Sequence, residues 1–232
     1  MQPKQHEDRA FFGRRKGHPL RPHQAAVFET LLPRLALDVS ATAPRDLGTL
    51  FPTPVEDVRL EIGFGGGEHL IAEARAFPGT GFIGCEPYVN GMAKILAQID
   101  AHAIGNVRLF AGDAAELLTW LPPQSLARID LIHPDPWPKR RHWKRRFVQD
   151  ATIAAMARVL KPGGEFRFVS DIDDYCAWTL AHLSRASDFV WTAERASDWH
   201  LPWSGYTMTR YGAKAEREGR KAAYLRFRKI GG

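Results

Sequence analysis

The chain has 232 residues, a formal net charge of +6 and a sequence pI of about 9.5, with 44% hydrophobic and 25% charged residues. That length suffices for one sizeable α/β domain with a short extension but not for two full domains, and the composition is typical of a soluble globular protein. No apolar run approaches the roughly 18 residues that span a membrane, the polar start does not resemble a secretory signal, and Cys85 and Cys176 suit neither zinc nor redox chemistry. We therefore expect a cytoplasmic protein that needs neither a membrane nor a metal.

Residues 1–56 lack the alternation of short β-prone runs and helical stretches that the rest of the chain shows. Residues 1–21 are polar and basic without a clear period, and a helix with Val27 on its apolar face follows them. Residues 38–56 are rich in proline, which predicts a linker with little regular structure. We therefore divide the sequence into a basic N-terminal arm, helix and linker over residues 1–56 and a main domain over residues 57–232.

From residue 58 onward, short β-prone runs alternate with helical stretches. The predicted strands span residues 58–62, 81–85, 107–110, 129–133, 166–170, 189–192 and 223–228. The predicted helices span residues 68–77, 89–103, 114–119 and 146–160, and one more follows residue 170. A Lys-Pro-Gly-Gly turn at 161–164 ends one helix and leads into the next strand. This alternation predicts βαβ units and a doubly wound α/β fold with a parallel sheet.

A glycine-rich turn follows the first predicted strand. Its sequence is Leu60-Glu61-Ile62-Gly63-Phe64-Gly65-Gly66-Gly67. Glycine permits a tight strand-to-helix turn with positive φ and lets a cofactor approach the backbone, so Gly63 and Gly65 are candidate cofactor-binding residues. The same glycines also fit a turn with no ligand.

Two acids near this turn favour S-adenosylmethionine over a dinucleotide. Glu61 lies where a pyrophosphate would otherwise sit; its carboxylate repels phosphate but suits a cationic amino-acid group beside a sulfonium. Glu86 ends the second predicted strand at the spacing from the turn at which an acid binds ribose hydroxyls. An NAD enzyme would also carry such an acid, and a solvated charge at a strand end is the plainer alternative.

Asp113 follows the third predicted strand. Its carboxylate can accept a hydrogen bond from an adenine amino group, and it can equally cap the helix that begins beside it. Both roles are compatible with one side chain.

The fourth predicted strand ends in the run Pro134-Asp135-Pro136-Trp137-Pro138. Carboxyl ends of strands face the ligand crevice of an open α/β sheet, and three prolines reduce the entropy lost in holding one acid and one aromatic ring in place. Asp135 is therefore expected to point at a polar substrate edge while Trp137 offers a stacking face. A solvent-exposed proline loop is the alternative.

A basic run over residues 139–146 follows this loop, with six Lys or Arg in eight residues and no acid. Cations beside an aromatic ring suit an RNA backbone with splayed bases, which favours nucleic acid over a merely solvated face. Asp171 ends the fifth predicted strand on the same side and is a candidate substrate contact. The acids beside it have no histidine at ligand spacing, so we do not expect a metal site there.

These motifs together resemble the bacterial tRNA (guanine-N7-)-methyltransferase family. The motifs are Leu-Glu-Ile-Gly-Phe-Gly-Gly-Gly at 60–67, Gly-Cys-Glu-Pro at 84–87, Gly-Asp-Ala at 112–114, Pro-Asp-Pro-Trp-Pro-Lys-Arg-Arg-His at 134–142, Lys-Arg-Arg-Phe-Val-Gln at 144–149 and Ser-Asp-Ile-Asp-Asp-Tyr at 170–175. The resemblance runs from about residue 11 to residue 229, and its Pro-Asp-Pro-Trp motif with the basic tail is specific. It implies a Rossmann-like class I fold, with a mostly parallel seven-stranded sheet and an antiparallel last strand. It also implies a guanine in the tRNA variable loop as target.

The resemblance also implies roles for single residues. Those implied to contact S-adenosylmethionine are Glu61, Glu86, Asp113 and Asp135, of which Asp135 is also the active-site acid. Those implied to contact the RNA are Lys139, Asp171 and the segment Thr209, Arg210, Tyr211 and Gly212. The family carries a glutamate where this chain has Gly212. Either another acid such as Glu216 substitutes for it or the contact is lost.

The implied chemistry agrees with the residues. Guanine N7 carries a free lone pair, so no strong base is needed, and a carboxylate can stabilise the cationic product ring. The alternatives are an NAD-dependent oxidoreductase, a non-catalytic RNA-binding protein and a methyltransferase acting on another RNA, a protein or a small molecule. The first is disfavoured by the acid within the glycine turn, and the second leaves the glycine turn and strand-end acids without a role.

Overall fold

The computed structural model describes residues 12, 13 and 15–231, which form one seven-stranded sheet with helices on both faces. The strands are β1 (Asp57–Ile62), β2 (Thr80–Cys85), β3 (Val107–Phe110), β4 (Leu126–Ile132), β5 (Leu160–Ser170), β6 (Phe189–Trp191) and β7 (Ala223–Lys229). The α-helices are α1 (Pro22–Leu35), α2 (Glu68–Ala76), α3 (Val89–Ala101), α4 (Ala114–Trp120), α5 (Asp150–Val159), α6 (Asp173–Leu183), α7 (Ser197–His200) and α8 (Arg210–Arg217). Short 3-10 helices span Leu47–Leu50 and Arg140–Arg145.

The strand order is β3-β2-β1-β4-β5-β7-β6. The first five strands pair in parallel, and β7 runs antiparallel to both β5 and β6. The predicted doubly wound sheet with an antiparallel last strand is thereby confirmed. Strand order reverses between β1 and β4, so the carboxyl ends of these two strands border the crevice in which such sheets bind ligands.

The strands form because their side chains are apolar on both faces of the sheet. β2 is buried along its whole length, with Phe82 and Ile83 pointing to opposite faces. Phe82 packs in the cluster that includes Leu96 of α3, and Ile83 in the cluster that includes Leu117 of α4. The core therefore has two layers, one on each side of the sheet.

The segment before β1 packs on this core. The predicted first helix is α1, which packs against α3, and the Leu37 amide that follows it donates to the Leu109 carbonyl at 2.9 Å. Leu47 and Phe51 of the predicted linker are buried against the sheet, and part of that segment forms a 3-10 helix instead of an irregular connection. The division into residues 1–56 and 57–232 stays a prediction.

Several boundaries differ from the sequence-based expectation, including the start of β4 at Leu126 instead of residue 129, and three of the differences have a local structural feature beside them. The helix predicted from residue 146 begins at Asp150, because residues 140–145 form a 3-10 helix and Thr152 accepts the Gln149 amide at the new start. The strand predicted to end at His133 ends one residue earlier, where His133 adopts a φ of 50°. The turn predicted at 161–164 lies inside β5, where the register with β4 shifts.

Most of the predicted basic arm, residues 1–11 and 14, lies outside the described residues. The part that is described packs at the start of α3: the Val89 amide donates to the Arg15 carbonyl at 3.0 Å, and the Gly17 amide donates to Asn90 Oδ1 at 2.8 Å. A Cβ on Gly17 would lie 2.2 Å from the Tyr88 hydroxyl, so a larger residue would displace this contact. Among the described helices, none has the length and apolar character that crossing a bilayer requires.

Candidate active site

The glycine turn lies at the carboxyl end of β1, on the crevice side of the sheet. Gly63, Gly65 and Gly67 all have positive φ, of 70°, 57° and 82°. At Gly67 a Cβ would lie 2.7 Å from the Ile95 side chain of α3, so the turn and helix can pack this closely only with glycine. Gly63 is exposed, whereas Gly65 and Gly67 are buried, so the turn offers open backbone to a ligand at Gly63.

Glu86 is built into this turn by its carboxylate. One oxygen accepts the Gly65 amide at 2.7 Å and the other accepts the Tyr88 amide at 2.9 Å. Burial raises the pKa of Glu86, the amides of Tyr88 and Gly65 oppose that rise, and the smaller effects of Asp135 and Arg210 act in opposite directions. Each oxygen keeps a lone pair, so the carboxylate can still accept hydrogen bonds from a ribose.

Glu61 points into the protein beneath the turn. Its Oε2 lies 2.8 Å from Nδ1 of His69, and both side chains are buried. Burial opposes the charged imidazolium, but the carboxylate of Glu61, with those of Asp130 and Glu73, outweighs it and raises the pKa of His69 to about 9. Sequence reasoning missed His69, although a histidine at the second position of the helix that follows the glycine turn is the signal that could have found it.

Asp113 caps helix α4. Its Oδ1 accepts the Ala115 amide at 2.9 Å, which is the capping role that the sequence left open. Its other oxygen has no hydrogen bond among the described residues, so capping leaves room for a ligand contact.

The loop after β4 holds Asp135 between two strained residues. His133 and Trp137 have φ of 50° and 44°, a region that non-glycine residues rarely adopt and that is costly for a bulky ring. Asp135 is exposed as a whole, yet the protein around its carboxyl removes enough water to raise its pKa. The Trp137 ring lies 5.0 Å from the Arg145 guanidinium carbon and makes an edge contact with His142.

Asp171 joins the ends of β4 and β5. Its Oδ1 lies 3.1 Å from Nδ1 of His133, and its Oδ2 accepts Nε of Arg220 at 2.6 Å. Partial burial opposes the charged form, but these partners outweigh it and lower the pKa of Asp171. Neither His133 nor Arg220 was identified from the sequence, because their meeting depends on how β4, β5 and the segment before β7 come together.

The segment Thr209–Gly212 begins α8 and lies over the glycine turn. Thr209 Oγ1 accepts the Gly212 amide at 3.2 Å, and a Cβ on Gly65 would lie 3.2 Å from the Tyr211 ring. A Cβ on Gly212 would lie 2.5 Å from Sδ of Met208, so Met208 fills the space that a larger residue at 212 would take. Arg210 and Tyr211 are thus brought to the end of the crevice that holds Glu86, not to Asp171.

The basic run divides into exposed and buried cations. Lys139, Arg140, Arg141 and Lys144 are exposed. Arg146 is fully buried, so the prediction that the whole run faces a polyanion is wrong at this position. The exposed four form a positive surface that directly adjoins the Asp135 loop.

The described residues contain no group of histidine, cysteine or acidic side chains able to hold a metal ion. Both cysteines are buried and unpaired, and burial raises their pKa, to about 12 for Cys176. Such thiols are poor nucleophiles. The arrangement is one of acids and aromatic rings around a backbone turn, suited to holding a cationic ligand and a planar base.

Comparison with known proteins connects this arrangement to an enzyme family. A family model described as "Putative methyltransferase" matches residues 56–225. A solved structure of a methyltransferase described as antibiotic-related has the same fold, with a TM-score of 0.51 at 20% identity over 76% of this chain and 89% of that chain. The sheet is therefore a class I methyltransferase fold.

Close relatives narrow the family. A tRNA (guanine-N(7)-)-methyltransferase of Nitrobacter hamburgensis is 77% identical over 220 residues, covering 95% of this chain and 86% of the relative. A protein of the same name from Rhodopseudomonas palustris is 76% identical over 222 residues, covering 96% of this chain and 88% of the relative. With this identity over nearly its whole length, the chain belongs to the bacterial tRNA (guanine-N7-)-methyltransferase family.

Proposed function

We propose that this protein transfers the methyl group of S-adenosylmethionine to N7 of a guanine in the variable loop of tRNA. The observation that carries the proposal is one crevice with two different ends: a buried carboxylate beside a glycine turn, and an acid followed by exposed cations. The names of the relatives supply the tRNA and the position on guanine. The product is N7-methylguanosine.

The glycine-turn end fits S-adenosylmethionine. Glu86 has lone pairs for the ribose hydroxyls, and Asp113 has an oxygen without a hydrogen bond among the described residues that can accept from the adenine amino group. The backbone at Gly63 is exposed and open to close approach, whereas Gly65 is buried beneath Tyr211. Glu61 is buried beneath the turn and paired with His69, which balances its charge, so the charge of Glu61 does not select this cofactor over a pyrophosphate. When bound, the cofactor supplies an electrophilic methyl group on a sulfonium.

The other end fits an RNA base. Lys139 and the exposed cations after it bind phosphates, Asp171 contacts the RNA, and Trp137 offers a ring face beside the target. The Thr209–Gly212 segment borders both ligands from above the turn. Arg210 lies at the cofactor end of the crevice, which supports a role for this segment at the place where the cofactor and the RNA base meet.

Asp135 is the proposed catalytic residue. Guanine N7 has a lone pair ready for attack, so no proton leaves before the new bond forms, and positive charge develops on the ring as it does. A carboxylate held beside the ring stabilises that charge, and correct placement of N7 supplies most of the remaining acceleration. No base is needed, which agrees with a site in which His133 is engaged by Asp171.

Methyl transfer to an unmodified tRNA transcript tests the proposal. The protein is incubated with methyl-labelled S-adenosylmethionine, and the tRNA is digested to nucleosides for chromatography. The label should appear in 7-methylguanosine and disappear when the variable-loop guanine is changed to adenine. Label on an exocyclic amine, or only on another RNA offered in parallel, contradicts the assignment.

Calorimetry with S-adenosylmethionine and with NAD distinguishes the methyltransferase from the oxidoreductase alternative by which of the two cofactors binds.

A further inference from the structure

Arg146 is the largest fully buried side chain in the described part of the chain, although it ends an exposed basic run. Its guanidinium carbon lies 4.8 Å from the ring of Trp143, 4.9 Å from that of Tyr175 and 5.1 Å from that of Trp178. A cation enclosed by three rings cannot contact an RNA phosphate. It therefore needs a different explanation from its neighbours.

Two hydrogen-bonded partners hold the guanidinium. Nε donates to the carbonyl of Pro136 at 2.9 Å, and a terminal nitrogen is paired with the carboxylate of Asp174 in α6. Asp174 is half-exposed, so water can solvate it if the pair is lost. Of the two hydrogen-bond partners of Arg146, only the Pro136 carbonyl lies in the Asp135 loop.

Stability alone does not require an arginine here. A buried ion pair pays a large desolvation cost, and an apolar side chain of similar length often replaces one without loss of stability. A methionine could fill the space between Trp143, Tyr175 and Trp178 and keep most of the packing. What no apolar side chain can do is donate to the Pro136 carbonyl.

That carbonyl belongs to the peptide that joins Pro136 to Trp137. Its orientation sets the ψ of Pro136 and the φ of Trp137, which is held at the costly value of 44°. Asp135 is attached directly to the other side of Pro136. Fixing this peptide therefore constrains the backbone that carries both the Asp135 carboxylate and the Trp137 ring.

We propose that Arg146 is a positioning residue for methyl transfer, which holds the Asp135 loop in its strained working shape through the Pro136 carbonyl. The inference rests on the proposed function, because it takes Asp135 as the acid that stabilises the developing charge. Arg146 acts only through the loop and does not touch the substrate.

The test compares Arg146→Met with Arg158→Met in single-turnover methylation of a tRNA transcript. Arg158 is a matched control: its guanidinium also bonds backbone carbonyls, those of Leu118 and Leu121, but away from the Asp135 loop. For Arg146→Met we expect the rate at saturating cofactor and tRNA to fall at least tenfold. The dissociation constants of S-adenosylmethionine and tRNA should change less than threefold. Arg158→Met should lower the melting temperature and leave the saturated rate within twofold of wild type.

The outcomes of this test separate the positioning role of Arg146 from the proposed function. A wild-type saturated rate in Arg146→Met, with an active wild-type enzyme, overturns the positioning role and leaves the proposed function intact. Weakened tRNA affinity with an unchanged saturated rate would make Arg146 a phosphate contact and also overturns it. If the wild-type protein does not methylate tRNA, the proposed function fails instead.

If Arg146→Met does not fold, the Arg146→Lys variant tests the positioning role instead. Lysine keeps the charge but lacks the planar fork that serves Pro136 and Asp174 at once. A saturated rate at least threefold below wild type, with faster amide hydrogen exchange over residues 135–145, supports the positioning role. A wild-type rate with unchanged exchange overturns it.

Discussion

The two ends of the crevice obtain their shape in different ways. At the glycine turn, every residue with positive φ is a glycine, and the Glu86 carboxylate fastens the turn through two backbone amides. At the Asp135 loop, the residues with positive φ are a histidine and a tryptophan, which need support from elsewhere. That support comes from Arg146 on Pro136 and from Asp171 on His133.

This difference in backbone support predicts which residues at each end of the crevice can be substituted without changing the backbone conformation. Glycine adopts the positive φ angles of the turn without steric cost, so loss of the Glu86 side chain removes one hydrogen bond to the turn but leaves this backbone path accessible, and its main effect falls on ligand binding. The Asp135 loop stores strain that distant residues hold in place, so its function depends on groups that never touch the substrate. We expect mutations to separate the two ends into a binding end and a rate-determining end.

The largest effect is expected at the loop end, from Asp135→Asn. Asparagine has nearly the same shape, and the prolines and Arg146 hold the loop, so the fold should persist. Loss of the charge that stabilises the cationic ring should cost about 2–4 kcal/mol, which lowers the rate roughly 30- to 900-fold. Single-turnover methylation with labelled cofactor measures it, with the exposed Asp100→Asn as control. A wild-type rate in Asp135→Asn would remove this acid from the mechanism.

A smaller effect, on binding, is expected at the glycine-turn end. Glu86→Ala should weaken S-adenosylmethionine binding by about 1–3 kcal/mol, because hydrogen bonds to a charged group are lost. Calorimetry measures this change, with the exposed Glu29→Ala as control. Unchanged affinity in Glu86→Ala, or tight binding of NAD by the wild type, would contradict the assignment of this end to S-adenosylmethionine.

The same contrast explains what the sequence could predict. The glycine turn, Glu86 and the Asp135 loop were found because each follows a strand whose apolar run is visible in the sequence. The burial of Arg146 was missed, because a basic run indicates a solvated or polyanion-binding face. Its cage is formed by Trp143 together with Tyr175 and Trp178 of α6, more than 25 residues further along the chain. The pairing of His133 with Asp171 was missed for a similar reason, since it requires the register between β4 and β5.

The smallest effect is expected from the exposed cations that follow the Asp135 loop. Arg141→Ala with Lys144→Ala should reduce the steepness with which tRNA affinity falls with salt, by about one to two units of log–log slope, since each phosphate contact releases counterions. Filter binding from low to moderate salt measures the slope. Lys161→Ala with Arg185→Ala removes the same charge from positions outside the basic run and should leave the slope unchanged. Equal slopes in the wild type and in the variant that lacks Arg141 and Lys144 would show that these residues are solvated and do not contact RNA phosphates.

The pH dependence of single-turnover methyl transfer most directly tests the central claim, that Asp135 stabilises charge and no base removes a proton. Desolvation raises the pKa of Asp135 above its usual value, so the rate should fall as pH drops through that raised pKa. Above it the carboxylate stays ionised, and the rate should remain flat through neutral and alkaline pH. Asp135→Asn should lose the acidic limb along with most of the rate. A wild-type rate that rises tenfold per pH unit near neutrality, as a histidine base would produce, would contradict the claim.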